Sequence, residues 1–177
     1  MANEIELRID GDRFRDVLGH LPTGVTVVTA HHRGVPVGMS SNSVTSVSLE
    51  PPMILFCPAK ASLTWPKIRE SGSFAVNIFA ANQEEVSRQF SLVGVDRFAG
   101  VRWHARAAGP ALDDAVAWIE CKIDAVHEAG DHFIVVGAVT HLDVRDADVD
   151  PLVFFRGRYG SFTGDQPSVT SPGDRDS

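Results

Sequence analysis

The chain has 177 residues, 44% hydrophobic and 22% charged, with a net charge of -7 from 16 Lys and Arg against 23 Asp and Glu. That balance is ordinary for a single folded globular domain; it excludes disordered and fibrous classes and, with no basic block, leaves nucleic acid an unexpected partner. No apolar run approaches the roughly 18 to 20 residues of a membrane helix, and the N-terminus lacks a basic-then-apolar leader, so a cytoplasmic protein with no membrane partner is expected.

Phe14, Val17, Leu18 and Leu21 recur at helical spacing behind Asp10 and Asp12, which predicts a capped helix from Asp12 to Leu21. The period then changes. Val25 to Ala30 and Val35 to Met39 are β-branched runs joined by His31-His32-Arg33-Gly34, the pattern of a hairpin. A polar stretch, "SSNSVTSVSLEPP", precedes a buried-strand run from Met53 to Cys57. "AKASLTWPKIRES" reads as a loop entering a short helix, with Ser62 or Thr64 near its start and Pro66 in its first turn.

Phe74 to Phe79 is a further strand, and Asn82 to Phe90 a helix with Glu84 and Glu85 in its first turn, where the helix dipole favours them. Ser91 to Asp114 is loop-rich. Ala117, Ile119, Cys121, Ile123 and Ala125 then alternate with Trp118, Glu120, Lys122 and Asp124, so one face of a strand is apolar and the other largely polar. After the turn "EAGD", His132 to Leu142 returns as a long apolar strand, and Leu152–Phe155 and Arg158–Phe162 complete residues 1–162 as one domain. Residues 163–177, rich in Pro, Gly and Ser, read as a disordered tail. Strands in hairpin register without regular strand-helix alternation predict a mainly β protein, an antiparallel barrel closed or partly closed.

The glycine motifs of Rossmann, P-loop and esterase sites are absent from the sequence. His127 and His132 flank one hairpin, but no ligand set completes a metal site, so no metal is expected. Cys57 and Cys121 form no Cys-x-x-Cys and read as buried free thiols. The serine-rich stretch keeps two readings open. It is either a solvated loop with local hydroxyl-backbone bonds, or a cradle whose small side chains let a flat ring approach the backbone. "KASLTW" offers the complement, hydroxyls and Lys60 near a helix start, where phosphate is stabilised.

Taken in order, "LPTGVTVVTA", "VGMSSNSVTSVSLEPPMILFC", "FAVNIFAANQEEVSRQF", "RFAGVRW", "GPALDDAVAWIECKIDAVHEAGDHFIVVGAV" and "PLVFFRGRYGSF" resemble the flavin reductase-like family over about Phe14 to Phe162. The nearer resemblance is to the NAD(P)H:flavin oxidoreductase components of two-component flavin-dependent aromatic monooxygenases. It implies a split β-barrel of Greek-key antiparallel type, a homodimer, FMN or FAD as flavin, and NADH or NADPH as hydride donor. Reduced flavin would then diffuse to a separate oxygenase acting on phenolic or steroid-derived aromatic compounds.

By motif, Val37, Gly38 and Met39 would line the flavin ring, with Ser40, Ser41, Asn42 and Ser43 at its polar edge. Ser46, Val47 and Ser48 would lie under the ribityl chain. Cys57, Pro58, Ala59, Lys60, Ser62 and Thr64 would approach the ribityl phosphate, and Phe90 the outer part of the flavin. Asp131 and His132 would face the nicotinamide nucleotide, with Arg156 and Tyr159 closing the site; no residue is implied as a catalytic acid or base. Met39 and Val44 depart from the family's usual smaller and aromatic residues. Other readings on the same barrel are a non-catalytic flavin-binding or electron-carrier protein, and an oxidase of the pyridoxamine-phosphate type, whose Arg and Lys phosphate clamp is not evident.

Overall fold

A computed structural model describes residues 9–145 and 149–162; the tail read as disordered, 163–177, lies outside the described residues. Helix α1 (Gly11–Gly19) begins where the Asp10 carboxylate accepts the Asp12 amide. Strands β1 (Thr23–Gly24), β2 (Thr26–His32) and β3 (Val35–Ser41) follow. The β2–β3 turn is only Arg33-Gly34, with φ of 52° and 79°, because two left-handed residues match the twist of the flanking strands. His31 and His32 therefore belong to β2, not to the turn.

Next come β4 (Thr45–Leu49), β5 (Pro52–Phe56), α2 (Trp65–Ser71) and β6 (Ser73–Ile78). A 3-10 turn, Ala81–Gln83, leads into α3 (Glu84–Ser91). The predicted loop beyond it carries the short strands β7 (Trp103–Ala105) and β8 (Pro110–Leu112). The long hairpin β9 (Ala117–Ala129) and β10 (His132–Val144) precedes a last hairpin, β11 (Leu152–Phe155) and β12 (Arg158–Ser161).

Seven strands form one antiparallel sheet in the order β3-β2-β6-β9-β10-β5-β4. Its two edges, β3 and β4, are joined in the chain by Asn42, Ser43 and Val44 alone. A flat sheet of seven strands would hold its edges about 29 Å apart, whereas the link from Ser41 to Thr45 reaches at most about 14 Å. The sheet must curl until its edges approach. Yet β3 and β4 form no ladder with each other among the described residues, so the barrel is split, not closed.

The serine-rich segment is thus mostly strand, the outer half of β3 and then β4, and the solvated-loop reading does not hold. The neighbouring strands β2 and β5, each reached through a two-residue turn, supply the ladder bonds for residues whose polar side chains give no strand pattern of their own. The segment straddles the seam of the barrel.

Two cores flank the sheet. Inside the curl, Val28, Phe56, Phe74, Val76 and Val135 pack with Trp65 and Ile68 of α2, and Val37, Met39 and Val44 join them from the seam. Outside, Phe79, Phe90, Leu112 and Trp118 pack with Leu152. The face of β9 read as polar is therefore partly buried. The β7–β8 hairpin covers it, Trp118 donates its indole N–H to Leu112 O at 3.1 Å, and Glu120 is 4% exposed. The Glu120 carboxylate is satisfied by Arg106 Nε at 2.6 Å and the Ala108 amide at 2.9 Å, which clamps the excursion onto the sheet.

Candidate functional site

Successive side chains of β3 point to opposite faces. Val37 and Met39 turn toward the inner core, while Gly38 and Ser40 face α3. Gly38 is needed there: a Cβ would stand 2.7 Å from the Phe90 ring and 3.2 Å from Thr29 Cγ2. Phe90 itself is fully buried, stacked edge-on with Phe98 at 5.0 Å. It supports the strand from below.

Above Gly38 lies a groove of about 600 Å³, lined by Val37, Gly38, Ser62, Thr64, Lys67 and the loop from Val93 to Phe98. Ser62 stands just before α2, its Oγ accepting the amides of Thr64, the N-cap residue, and Trp65 at 3.3 and 3.1 Å. Those two amides are thus committed within the chain, which removes them from the expected phosphate site at the helix start. Beside Lys67, which also lines the groove, a second positive charge reaches it from elsewhere.

Arg97 supplies it. The half-buried guanidinium donates Nε to Leu92 O at 2.7 Å, and Nη1 to both Gly38 O and Thr64 Oγ1 at 2.8 Å. All three acceptors are neutral, and Nη2 makes no hydrogen bond among the described residues. Burial, uncompensated by a carboxylate, pulls its pKa below the usual arginine value. The sequence reading missed Arg97: beside Asp96 in a glycine-containing loop, it looks like any solvated charge.

The seam continues the groove. Ser62 Oγ lies 3.8 Å from Met39 Sδ, Ser41 and Ser43 hydroxyls are 3.1 Å apart, and Ser43 Oγ accepts the Cys57 amide at 2.8 Å. On β4, Val47 is the bulged residue and half-exposed, with Ser46 exposed and Ser48 half-buried beside it. The Cys57 thiol is half-buried, and burial pushes its pKa up against the opposing bond to Ser43. Cys121 is buried among apolar groups and pushed up to about 12 by desolvation and by neighbouring Glu120.

Beyond Cys57 the chain is strapped to the start of β10. Phe133 donates its amide to Pro58 O at 2.9 Å, Lys60 its amide to Asp131 O at 2.8 Å, and Ala59 bridges His132. The turn that delivers His132 therefore abuts the segment expected to hold flavin phosphate. His132 Nδ1 lies 2.8 Å from Asp131 Oδ1, and this contact lowers the Asp131 pKa. Lys60 points its ammonium at Glu128, at 2.7 Å, and over the Phe133 ring.

Tyr159 meets the seam serines, and Arg156 lines a cavity that shares Tyr159. Tyr159 Oη meets Ser87 Oγ at 3.0 Å, and Ser87 meets Ser40 Oγ at 3.2 Å. Tyr159 also lines a small cavity of about 200 Å³ with Ser40, Ser41, Asn42 and Phe154. Arg156, in the β11–β12 turn, lines a cavity of about 680 Å³ with Pro22, Phe155 and Tyr159. Within the described residues of one chain, no hydrogen bond joins either residue to His132.

The family model described as "Flavin reductase like domain" matches residues 18–163. The chain belongs to that family. It is 44% identical over 167 residues to the reductase subunit HsaB of a flavin-dependent monooxygenase from Mycobacterium tuberculosis, covering 93% of this chain and 88% of that protein. It is 43% identical to a flavin reductase of Pseudomonas putida, covering 91% and 95%. Among solved structures, the Streptomyces globisporus NADH:FAD oxidoreductase SgcE6, in complex with NAD and FAD fragments, superposes with a TM-score of 0.84 at 37% identity, covering 89% of this chain and 96% of that one.

Proposed function

We propose that this flavin reductase takes hydride from NADH or NADPH, passes it to FMN or FAD, and hands reduced flavin to a separate monooxygenase acting on phenolic or steroid-derived aromatic compounds. The observation that carries the reading is the groove beside the serine seam, where Arg97 brings a positive charge bonded only to neutral acceptors. A flat ring with a phosphate tail fits both parts. The ring meets Val37, Gly38 and Met39 with the hydroxyls of Ser40, Ser41 and Ser43 and the Asn42 amide, and the phosphate meets Arg97 with Ser62 and Thr64. The two bound nucleotides supply the redox chemistry between them.

This chain's residues bind and orient. Ser46, Val47 and Ser48 stand on the other edge of the split, and Cys57 to Lys60 carries the seam to Asp131 and His132, which we assign to the nicotinamide nucleotide. Tyr159 steadies Ser40 through Ser87, and Arg156 extends the same side. Mixing the protein with NADH and FMN and following absorbance at 340 nm tests the reading; no NADH oxidation above the protein-free control sinks it, and a non-turning-over flavin binder or electron carrier would give that result.

We also assign a second copy of the chain to α1. None of its residues is buried, and Phe14, Val17 and Leu18, with Leu21 just beyond its end, are all more than half exposed. A nine-residue helix is marginal on its own, and its apolar face calls for a cover. Light scattering of the purified protein tests this, a dimer mass being expected. No helix among the described residues is long and apolar enough to cross a membrane, and we place the reaction in the cytoplasm, where reduced nicotinamide is available.

A further inference from the structure

Three hydroxyls stand in line across three elements: Ser40 on β3, Ser87 on α3 and Tyr159 on β12. Ser87 Oγ lies 3.2 Å from Ser40 Oγ and 3.0 Å from Tyr159 Oη, and none of the three oxygens has another hydrogen bond among the described residues. Ser87 is fully buried, so an unclaimed proton on its Oγ would be costly. It must give its proton to one neighbour and accept from the other, because a hydroxyl has a single proton to donate. Two senses remain. The line runs from Tyr159 to Ser40 and leaves the Ser40 proton unclaimed, or it runs the opposite way and leaves that of Tyr159. A phenol is the stronger donor and, with a lone pair drawn into its ring, the poorer acceptor, which favours the first sense. Arg88, itself paired with Glu84, lies 4.8 Å from the centroid of the Tyr159 ring and holds the phenol in place.

Ser40 presents that proton beside the groove. It shares one face of β3 with Gly38, which lines the groove two residues and about 7 Å away, and it lines the cavity of about 200 Å³ together with Ser41 and Asn42. A flat tricyclic ring over Gly38 spans that distance. We infer that Ser87 and Tyr159 are positioning residues for the reaction, which orient the Ser40 hydroxyl as a donor toward an acceptor atom on the edge of the flavin ring. The inference rests on the flavin reading above and deepens it. Negative charge reaches the ring with the hydride, and a donor already aimed at the ring edge, polarised through two further hydroxyls, favours the charged product.

The chain has one tyrosine, so protein labelled with carbon-13 at the tyrosine Cζ gives a single NMR resonance that reports on the Tyr159 hydroxyl. FMN should displace that resonance in the wild type and leave it in place in Ser87→Ala, where the line is cut. An equal displacement in both means that FMN touches Tyr159 directly through the shared cavity, and overturns the relay. No displacement in a wild type that binds FMN overturns it as well. Tyr159→Phe keeps the ring and removes the head of the line. In single-turnover mixing of NADH with the FMN-loaded protein it should slow hydride transfer about threefold, the size of one neutral hydrogen bond, with the KM for NADH unchanged. In a Ser40→Ala background the same substitution should have no effect on the rate. A full threefold effect there, or a raised KM at unaltered rate, overturns the positioning role. No FMN binding by the wild type overturns the flavin reading, and this inference with it.

Discussion

Arg97 and Arg106 sit nine residues apart in one excursion between α3 and β9, and their surroundings differ in kind. Arg106 closes on a buried carboxylate, Glu120, whose other oxygen takes the Ala108 amide. Arg97 closes on two carbonyls and a hydroxyl beside an open groove. A compensated charge pins a loop to a sheet; an uncompensated one is available to an anion arriving from solvent. The difference teaches which charges hold the fold and which are left without a counter-charge beside open space, a distinction that burial alone would not draw.

The largest expected effect breaks the first side of that contrast. Arg106→Met leaves Glu120 buried with one amide partner; because Arg106 is 22% exposed, the loss falls somewhat below that of a fully buried pair, about 2 to 3 kcal/mol. Urea unfolding measures it, and an unaltered midpoint would show the clamp idle. The pH dependence has a definite sign. Burial alone raises the Glu120 pKa, but Arg106 and the Ala108 amide together hold it below the ordinary carboxylate value. Stability from a depressed carboxyl is present above its unfolded pKa, about 4.3, and is lost as pH falls through the folded one. The gap between wild type and Arg106→Met should therefore shrink on acidification, first as the variant's Glu120, stripped of Arg106 and left to the effect of burial, takes up a proton, and then until pH falls through the depressed wild-type value.

Arg97→Met tests the other side. FMN affinity should fall about thirtyfold, the equivalent of roughly 2 kcal/mol for a charge-assisted bond, with riboflavin affinity and the urea midpoint far less affected. A stability loss as large as that of Arg106→Met, with FMN affinity intact, would erase the contrast. His132→Ala comes next: the KM for NADH should rise about tenfold with FMN binding unchanged, and unaltered NADH kinetics would remove the role assigned to the turn. The smallest effect belongs to Glu70→Gln, which breaks the pairs with Arg33 and His32 at 2.8 Å each. Exposed pairs contribute little, so thermal melting should not move measurably; a clear drop would mean that surface charge matters more here than the comparison allows.

Much of the fold was legible because periodicity is local. The α1 helix, the β2–β3 hairpin, β6 and the β9–β10 hairpin appear near their expected places, each marked by a period of 3.6 or 2 or by a glycine turn. β4, β7 and β8 were not legible. Their residues are polar or few, and they become strands only because β5 or one another lie alongside. Trp118 and Glu120 misled for a similar reason: alternation assigns faces, but what covers a face is decided by a hairpin that packs back from earlier in the chain.

The candidate site divides in the same way. Small hydroxyls in "GMSSNS", the hydroxyls of "KASLTW" and the turn before His132 carry their chemistry in the residue types themselves, so the sequence determined where to look. Only the tertiary structure decided what those groups have left to offer. It gave Lys60 to Glu128, sank Phe90 beneath Gly38 and turned Arg97 into the groove. A residue's identity states which bonds it can make, but partners separated by tens of residues are chosen by how the sheet curls, and that choice determines which charge remains for a ligand.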